Sequence, residues 1–208
     1  MFDIDGTLVQ TYESDEEIYT KSVEEVIGFK IDTNWSKYKH VTDSGILNEI
    51  IEKRGLIERS QKIQQKVKRI FIGKMLAYIE ENPVDEIPGA ISFLNHLEGL
   101  DNVIVSFATG GWYETAALKL NSAGFLYSPS SITSSNDHFD RTKIMAIAKA
   151  KHSDGHDKTC TYFGDAVWDK TACEKLGFNF VLVGSKTNHD QTINDFNSVT
   201  EALAYIGL

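Results

Sequence analysis

Short apolar runs alternate with amphipathic segments through the second half of the chain, between Pro88 and Leu208. Three of these runs predict buried strands: NVIVSFA (102–108), TCTYF (159–163) and FNFVLVG (178–184). The segments around them have helical periodicity. Strands separated by helices are typical of a parallel sheet that is covered on both faces. Residues 2–4, at the start of the chain, predict one more strand of this sheet.

A long helical region separates that first strand from the others. Residues 14–82 have helical periodicity throughout, and Pro83 ends the pattern. We therefore expect a discontinuous α/β domain, residues 1–13 and 86–208, with an all-helical domain, residues 14–85, inserted after the first strand. Only three residues precede Ile4, whereas a central strand usually has about five or six. Either translation starts upstream, or this chain tolerates a short central strand.

Composition and charge exclude several classes of partner. The 208 residues are 41% hydrophobic and 25% charged, with a net charge of −9. Nucleic acids and anionic membranes bind clustered Lys and Arg, so we expect neither as a partner. The sequence shows no apolar run of the ~20 residues that cross a bilayer, and no signal-peptide pattern. Cys160 and Cys173 are too isolated for a disulfide framework or a zinc site, which favours a cytoplasmic location.

Residues that can carry chemistry follow three of the predicted strands. Parallel strands bring such residues together, because ligands bind outside the carboxyl ends of the strands. Asp3 and Asp5 are two residues apart, so in a strand they face the same way, and Gly6 permits a sharp turn after them. The other candidates are Thr109, Gly110 and Gly111 after the second strand, Asp165 and Asp169 after the third, and Lys143 at the start of the helix between those two.

Each candidate also has an ordinary structural explanation. Asp-Gly is a common turn, Thr-Gly-Gly fits a turn from strand to helix, and Lys143 fits an exposed helix position. Asp165 and Asp169 fit the first turn of a helix, where the helix dipole favours carboxylates. If all of these explanations were correct, the anionic and anion-binding groups would lie together at one sheet edge by chance. Three or more carboxylates in one place indicate Mg²⁺, which takes oxygen ligands and is usually shared with a phosphate.

Four sequence motifs, in this order, resemble those of the haloacid dehalogenase superfamily: FDIDGTL (2–8), FATGG (107–111), Lys143 and GDAVWD (164–169). The helical insertion resembles that family's C1-type cap. The resemblance spans nearly the whole chain and is greatest to members of the phosphoglycolate phosphatase and β-phosphoglucomutase kind. It implies an α/β fold with a doubly wound, Rossmann-like parallel sheet and an inserted all-helical cap domain.

The resemblance also implies catalytic roles for particular residues. Asp3 would be the nucleophile that forms an aspartyl-phosphate, and Asp5 would act first as general acid and then as general base. Thr109 and the N–H of Gly110 would bind the transferring phosphoryl group. Lys143 would neutralise negative charge on Asp3 and on the phosphate.

Mg²⁺ is the cofactor that the resemblance implies. Its ligands would be Asp3, the backbone carbonyl of Asp5, and Asp165. Asp169 would either bind the ion directly or hold another ligand in place. The chemistry suits these residue types, because uncatalysed hydrolysis of phosphate monoesters is very slow. A carboxylate nucleophile divides it into two easier transfers, and fixed positive charge stabilises the phosphoryl oxygens.

The function implied is therefore a Mg²⁺-dependent phosphatase that acts on a small phosphorylated metabolite. A phosphomutase would use the same motifs, and a catalytically silent protein that binds a phosphorylated ligand is the alternative outside the enzymes. A dehalogenase is disfavoured because its chemistry in this family lacks the second aspartate, and Asp5 is present. Substrate specificity in the family lies in the cap, where the candidate contacts are Tyr12, Trp35, Lys39, His40 and Asp43.

Overall fold

The structure, a computed structural model that describes residues 1–152 and 159–208, is organised around a parallel β-sheet. The strands are β1 (Phe107–Ala108), β2 (Ile132–Thr133), β3 (Thr161–Gly164), β4 (Asn179–Val183) and β5 (Thr192–Ile193). Phe2 lies between β1 and β3, where it forms parallel bridges to Phe107 and Phe163. The order across the sheet is therefore β2, β1, Phe2, β3, β4, β5.

Helices alternate with these strands and also form the insertion. They are α1 (Tyr12–Ile27), α2 (Asp43–Lys53), α3 (Ser60–Glu81), α4 (Ala90–Glu98), α5 (Tyr113–Ser122), α6 (Arg141–Ala150), α7 (Val167–Leu176) and α8 (Val199–Ala204). In the described part of the chain, none of them is long and apolar enough to cross a membrane.

Successive residues of the strands pack into separate cores on opposite faces of the sheet. Phe163 and Val181 belong to the larger core, which includes residues of α4, α5 and α8. Their neighbours Tyr162 and Phe180 belong to a second core with residues of α6 and α7. This division follows from the two-residue period of a strand. The sheet is thus covered on both faces, as the alternation of the sequence predicts.

The insertion has a hydrophobic core of its own, formed mainly by α1, α2 and α3. Its two connections to the sheet domain run side by side, because the N–H of Gln10 donates to Asp85 O at 2.9 Å and the N–H of Ile87 donates to Leu8 O at 2.7 Å. The first helix of the insertion begins at Tyr12, two residues earlier than the pattern at residue 14 suggests. We refer to α1–α3 and their connecting residues as the cap, and to the rest as the core domain.

The strand predicted at residues 102–108 is shorter in the structure, where only Phe107 and Ala108 belong to it. Phe2 sets this limit: its N–H donates to Ser106 O at 2.9 Å, and its carbonyl accepts from the N–H of Ala108 at 2.9 Å. The described residues include no strand beside residues 103–105. Val103 and Val105 pack on the core without the pairing that a strand requires, and Ile104 is exposed.

Candidate active site

The carboxyl ends of the central strands bring three aspartates together. Asp3 follows Phe2, Asp165 follows β3, and Asp169 lies in the first turn of α7. One carboxylate oxygen from each lies within 4.8 Å of the other two, and all three side chains are buried. The sequence places these residues at strand ends, and the parallel sheet makes those ends neighbours.

Two glycines permit this close approach of carboxylates to backbone. Gly6 has a left-handed backbone (φ +74°), and a Cβ at this position would lie 2.1 Å from Asp165 Oδ2. A Cβ on Gly164 would lie 2.8 Å from the Asp169 carboxylate. A side chain at either position would therefore displace an aspartate, which explains why glycine stands there.

Asp3 is buried, and one of its carboxylate oxygens has no hydrogen-bond partner among the described residues. Only 4% of Asp3 is exposed, and burial raises the pKa of its carboxyl well above the ordinary value, although Arg141 opposes the shift. Oδ2 lies 3.4 Å from Arg141 Nη1. Oδ1 is buried and has no hydrogen-bond partner among the described residues. An orphaned carboxylate oxygen is costly, so its presence at this position indicates a group that binds there.

The other two aspartates are held by cations and by backbone. Asp169 Oδ1 lies 2.7 Å from Arg141 Nη1, and its Oδ2 accepts from the N–H of Ala166 at 3.2 Å. Burial raises the pKa of Asp169 to about 6. Asp165 Oδ2 lies 2.5 Å from Lys186 Nζ. The donor set of three carboxylates, one with a free oxygen, fits Mg²⁺, a hard cation that prefers oxygen ligands.

Arg141, not Lys143, is the basic residue of α6 that contacts the aspartates. The Arg141 side chain is 11% exposed and contacts both Asp3 and Asp169. Lys143 is exposed on α6 and is not among the residues that line the cavity described below. Residues two apart on a helix lie on different faces, so only one of these two side chains can point at the sheet. Of these two residues, it is therefore Arg141 whose charge lies next to Asp3 and Asp169.

The turn after β1 supplies hydrogen-bond donors at the same edge. Thr109 is buried, and its Oγ1 accepts from the N–H of Gly111 at 3.1 Å, which leaves the hydroxyl hydrogen available. The N–H of Gly110 donates to no atom of the described residues. A Cβ on Gly110 would lie 2.4 Å from Arg141 Nη2, so this glycine makes room for the arginine. Thr109, Gly110 and Arg141 thus place a hydroxyl, a backbone N–H and a guanidinium, three kinds of donor that can bind an anion, at the sheet edge that holds Asp3.

Asp5 is bound by a residue that the sequence analysis does not single out, Lys119. The Lys119 side chain is 0% exposed, and its Nζ lies 2.6 and 2.7 Å from the two carboxylate oxygens of Asp5. The same Nζ lies 2.6 Å from Asp15 Oδ1, in the first turn of α1. The hydroxyl of Thr11 also donates to Asp5, at 2.5 Å. One available signal is the position of Lys119 on α5, where it shares a buried face with Ala116 and Leu120.

A cavity of about 100 Å³ lies above the aspartates, between core domain and cap. On the cap side its wall includes Glu16, Tyr19, Trp35 and Asp43, so two of the expected cap candidates, Trp35 and Asp43, line it. Lys39 and His40 are not among the lining residues, and the side chain of Tyr12 lies outside the described part of the structure. The backbone N–H of Asp43 donates to Gly110 O at 2.9 Å, which ties the cap to the core domain at this point.

A comparison with models of protein families matches residues 1–177 to the family described as haloacid dehalogenase-like hydrolase. No curated protein matches the chain.

Similar solved structures cover almost all of the chain at low sequence identity. CbbY from Rhodobacter sphaeroides in complex with phosphate is 13% identical, with a TM-score of 0.73 over 100% of this chain and 97% of that one. A protein from Lactobacillus plantarum assigned as a phosphoglycolate phosphatase is 17% identical (TM-score 0.61; 99% and 97%). A protein from Bacteroides vulgatus assigned as a β-phosphoglucomutase is 15% identical (TM-score 0.68; 99% and 87%). At these identities the likeness shows the shared fold.

Proposed function

Because this chain belongs to the haloacid dehalogenase-like hydrolases, we propose that it is a Mg²⁺-dependent phosphatase that acts on a small phosphorylated metabolite through an aspartyl-phosphate on Asp3. The observation that carries this proposal is Asp3 itself. Its Oδ1 is buried and without a partner, beside the cation Arg141 and the donors of the turn after β1. This is the arrangement that a carboxylate nucleophile for a phosphoryl group requires.

In the first step, Asp3 Oδ1 attacks phosphorus, and the bond from phosphorus to the ester oxygen of the substrate breaks. The departing oxygen takes a proton from Asp5, whose carboxyl group Lys119 and Thr11 hold in a fixed orientation. In the second step, Asp5 takes a proton from water, and the water oxygen attacks phosphorus. This releases inorganic phosphate and regenerates the Asp3 carboxylate.

The phosphoryl group is held by charge and by hydrogen bonds. Arg141, the Thr109 hydroxyl and the N–H of Gly110 meet its oxygens, which carry most of the negative charge during transfer. Asp3, Asp165, Asp169 and the backbone carbonyl of Asp5 would hold Mg²⁺, which supplies further positive charge for the phosphoryl oxygens and for Asp3.

A phosphomutase is the second candidate, and the fold shared with a protein assigned as a β-phosphoglucomutase favours it. Both activities begin with the same transfer to Asp3. They differ in whether the phosphoryl group next passes to water or to another hydroxyl of the substrate. Release of inorganic phosphate in step with substrate loss supports the phosphatase, and an isomeric phosphate ester supports the mutase. We expect the protein to act in the cytoplasm.

The test of the proposed function is Asp3→Asn. The amide cannot accept a phosphoryl group, so we expect the folded variant to hydrolyse p-nitrophenyl phosphate below detection, whereas wild type is active with Mg²⁺ and inactive in chelator. Asp101→Asn, at an exposed position, is the matched control and should retain wild-type turnover. Acid quenching of wild type during turnover should trap phosphate on Asp3. Near-normal turnover by Asp3→Asn, checked for deamidation by mass spectrometry, would contradict the proposal.

A further inference from the structure

The two walls of the cavity above Asp3 have different chemistry. The core wall carries the phosphate-binding group of Arg141, Thr109 and Gly110. The cap wall must contact the organic part of the substrate, because it lies on the other side of the cavity from the aspartates. The residues of the cap wall therefore indicate which kind of alcohol carries the phosphate in the substrate.

The described lining of the cavity is strongly acidic. It contains six carboxylates, Asp3, Asp5, Asp15, Glu16, Asp43 and Asp165, and one basic residue, Arg141. Arg141 is already engaged by Asp3 and Asp169. Lys119 neutralises part of the charge on Asp5 and Asp15 from behind the wall. Among the described lining residues, no cation on the cap side is left to bind a second anionic group of a substrate.

Glu16 is a carboxylate on the cap wall that pairs with no cation of the described residues. Its Oε1 accepts the Nε1–H of Trp35, which orients the side chain. Trp35 in turn meets Tyr19 edge to face, with 6.2 Å between ring centroids. The Nε1–H edge of Trp35 faces Glu16, and the Glu16 carboxylate supplies the negative charge that attracts a cation.

Asp43 extends the acidic surface toward the reacting centre. Its Oδ2 accepts from the N–H of Trp112 at 2.8 Å. A Cβ placed on Gly111 would lie 3.8 Å from Asp43 Oδ2 and also 3.8 Å from Asp5 Oδ2. The cap carboxylate therefore converges with Asp5 over Gly111, next to where the ester oxygen of a substrate must lie.

From these contacts we propose that the substrate is a phosphate monoester of an amino alcohol, with a protonated amine or a quaternary ammonium group held by Glu16 beside Trp35. This inference rests on the proposed phosphatase function and names its substrate class. A carboxylate or a second phosphate on the organic part is excluded by the charge of the cap wall. The unused Oδ1 of Asp3, at the other end of the same cavity, fixes which end takes the phosphate.

The test compares three small esters that differ in charge: phosphocholine, glycerol 3-phosphate and phosphoglycolate. With Mg²⁺ saturating, we expect kcat/KM to fall in that order, with phosphocholine exceeding phosphoglycolate by at least about tenfold. Titration calorimetry of the wild type in chelator, where we expect it to be inactive, with phosphocholine and with phosphoglycolate gives the same comparison without turnover. A flat series, or a preference for phosphoglycolate in either measurement, would overturn the inference.

Glu16→Gln removes the charge and keeps an oxygen that can accept from Trp35. We expect it to lower the ratio of kcat/KM for phosphocholine to that for glycerol 3-phosphate by about tenfold. The matched control is Glu17→Gln, because Glu17 is exposed on the same helix and pairs outward with Lys21. The control should leave the ratio unchanged. An unchanged ratio in Glu16→Gln would remove Glu16 from recognition.

The two proposals fail in distinguishable ways. If wild type shows Mg²⁺-dependent hydrolysis of p-nitrophenyl phosphate but no preference for the cationic ester, the substrate class is wrong and the phosphatase function stands. If no phosphate ester is hydrolysed, the phosphatase function is wrong. Calorimetry then still decides whether the cavity selects a cationic phosphate ester.

Discussion

Lys119 holds both carboxylate oxygens of Asp5, with its Nζ at 2.6 Å from Oδ1 and 2.7 Å from Oδ2. The same ammonium contacts Asp15, so one fully buried cation joins the core domain to the first turn of the cap. Burial alone would lower the pKa of this lysine, but the two carboxylates outweigh it and raise the pKa instead. Lys119 is therefore charged, and its charge depends on both partners.

Removal of Lys119 should be costly, because it leaves two carboxylates facing each other in a buried place. We expect Lys119→Met to destabilise the protein by about 3–5 kcal/mol. The double variant Lys119→Met, Asp15→Asn removes one of the two repelling charges and should recover part of that loss. Urea unfolding of wild type, both single variants and the double variant gives the coupling energy. Additive effects would show that Lys119 and Asp15 do not act as a pair.

Arg141 should be essential for turnover, and Lys143 should not. Arg141→Ala removes the cation next to Asp3 and an expected ligand of the phosphoryl group, so kcat should fall by about 100-fold or more. Lys143→Ala is the control from the same turn of α6 and should keep wild-type kcat, because its side chain is exposed. The reverse ranking of the two variants would return the role to Lys143.

Those two residues show how far the sequence predicts the site. Asp3, Asp165 and Thr109 are predictable because they follow strands, and a parallel sheet gathers strand ends whatever the details of packing. The choice between Arg141 and Lys143 depends on the rotation of one helix about its axis, which a pattern of a few residues does not fix. The contact of Lys119 with Asp5 is harder to predict, since Lys119 lies in the middle of a helix and not at the end of a strand. Only part of the strand predicted at residues 102–108 forms, because the chain that pairs with it begins at Met1. The pattern of residues 102–108 does not predict how long its neighbour in the sheet is.

Asp165→Ala should raise the Mg²⁺ concentration needed for half-maximal activity by at least about tenfold, because it removes an expected metal ligand. A Mg²⁺ titration of p-nitrophenyl phosphate hydrolysis measures this. Calorimetric titration of Mg²⁺ into the variant without substrate gives a second readout. An unchanged Mg²⁺ requirement in both measurements would mean that Asp165 is not a ligand.

Asp15 gives a prediction about pH. Burial raises the pKa of its carboxyl from the ordinary 3.8 to about 6, although Lys119 opposes the shift. The folded state therefore binds this proton more tightly than the unfolded state between about pH 4 and 6, and the stability contributed by Asp15 falls as pH rises through that window.

Asp15→Asn lacks this titration, so its stability relative to wild type should rise by about 1–3 kcal/mol between pH 4 and pH 7. Urea unfolding of both proteins at several pH values measures the slope. A difference that stays constant, or that falls with pH, would contradict the raised pKa of Asp15.

The position of Met1 has a practical consequence for handling the protein. Its ammonium is buried and donates to Thr161 O at 2.9 Å, and its carbonyl accepts from the N–H of Phe163 at 3.0 Å. We expect a residue joined ahead of Met1 to lie in the groove between residues 103–106 and 159–161. Leu208, by contrast, is 59% exposed. We therefore expect an affinity tag or fluorophore attached at Leu208 to disturb the sheet less than one attached ahead of Met1.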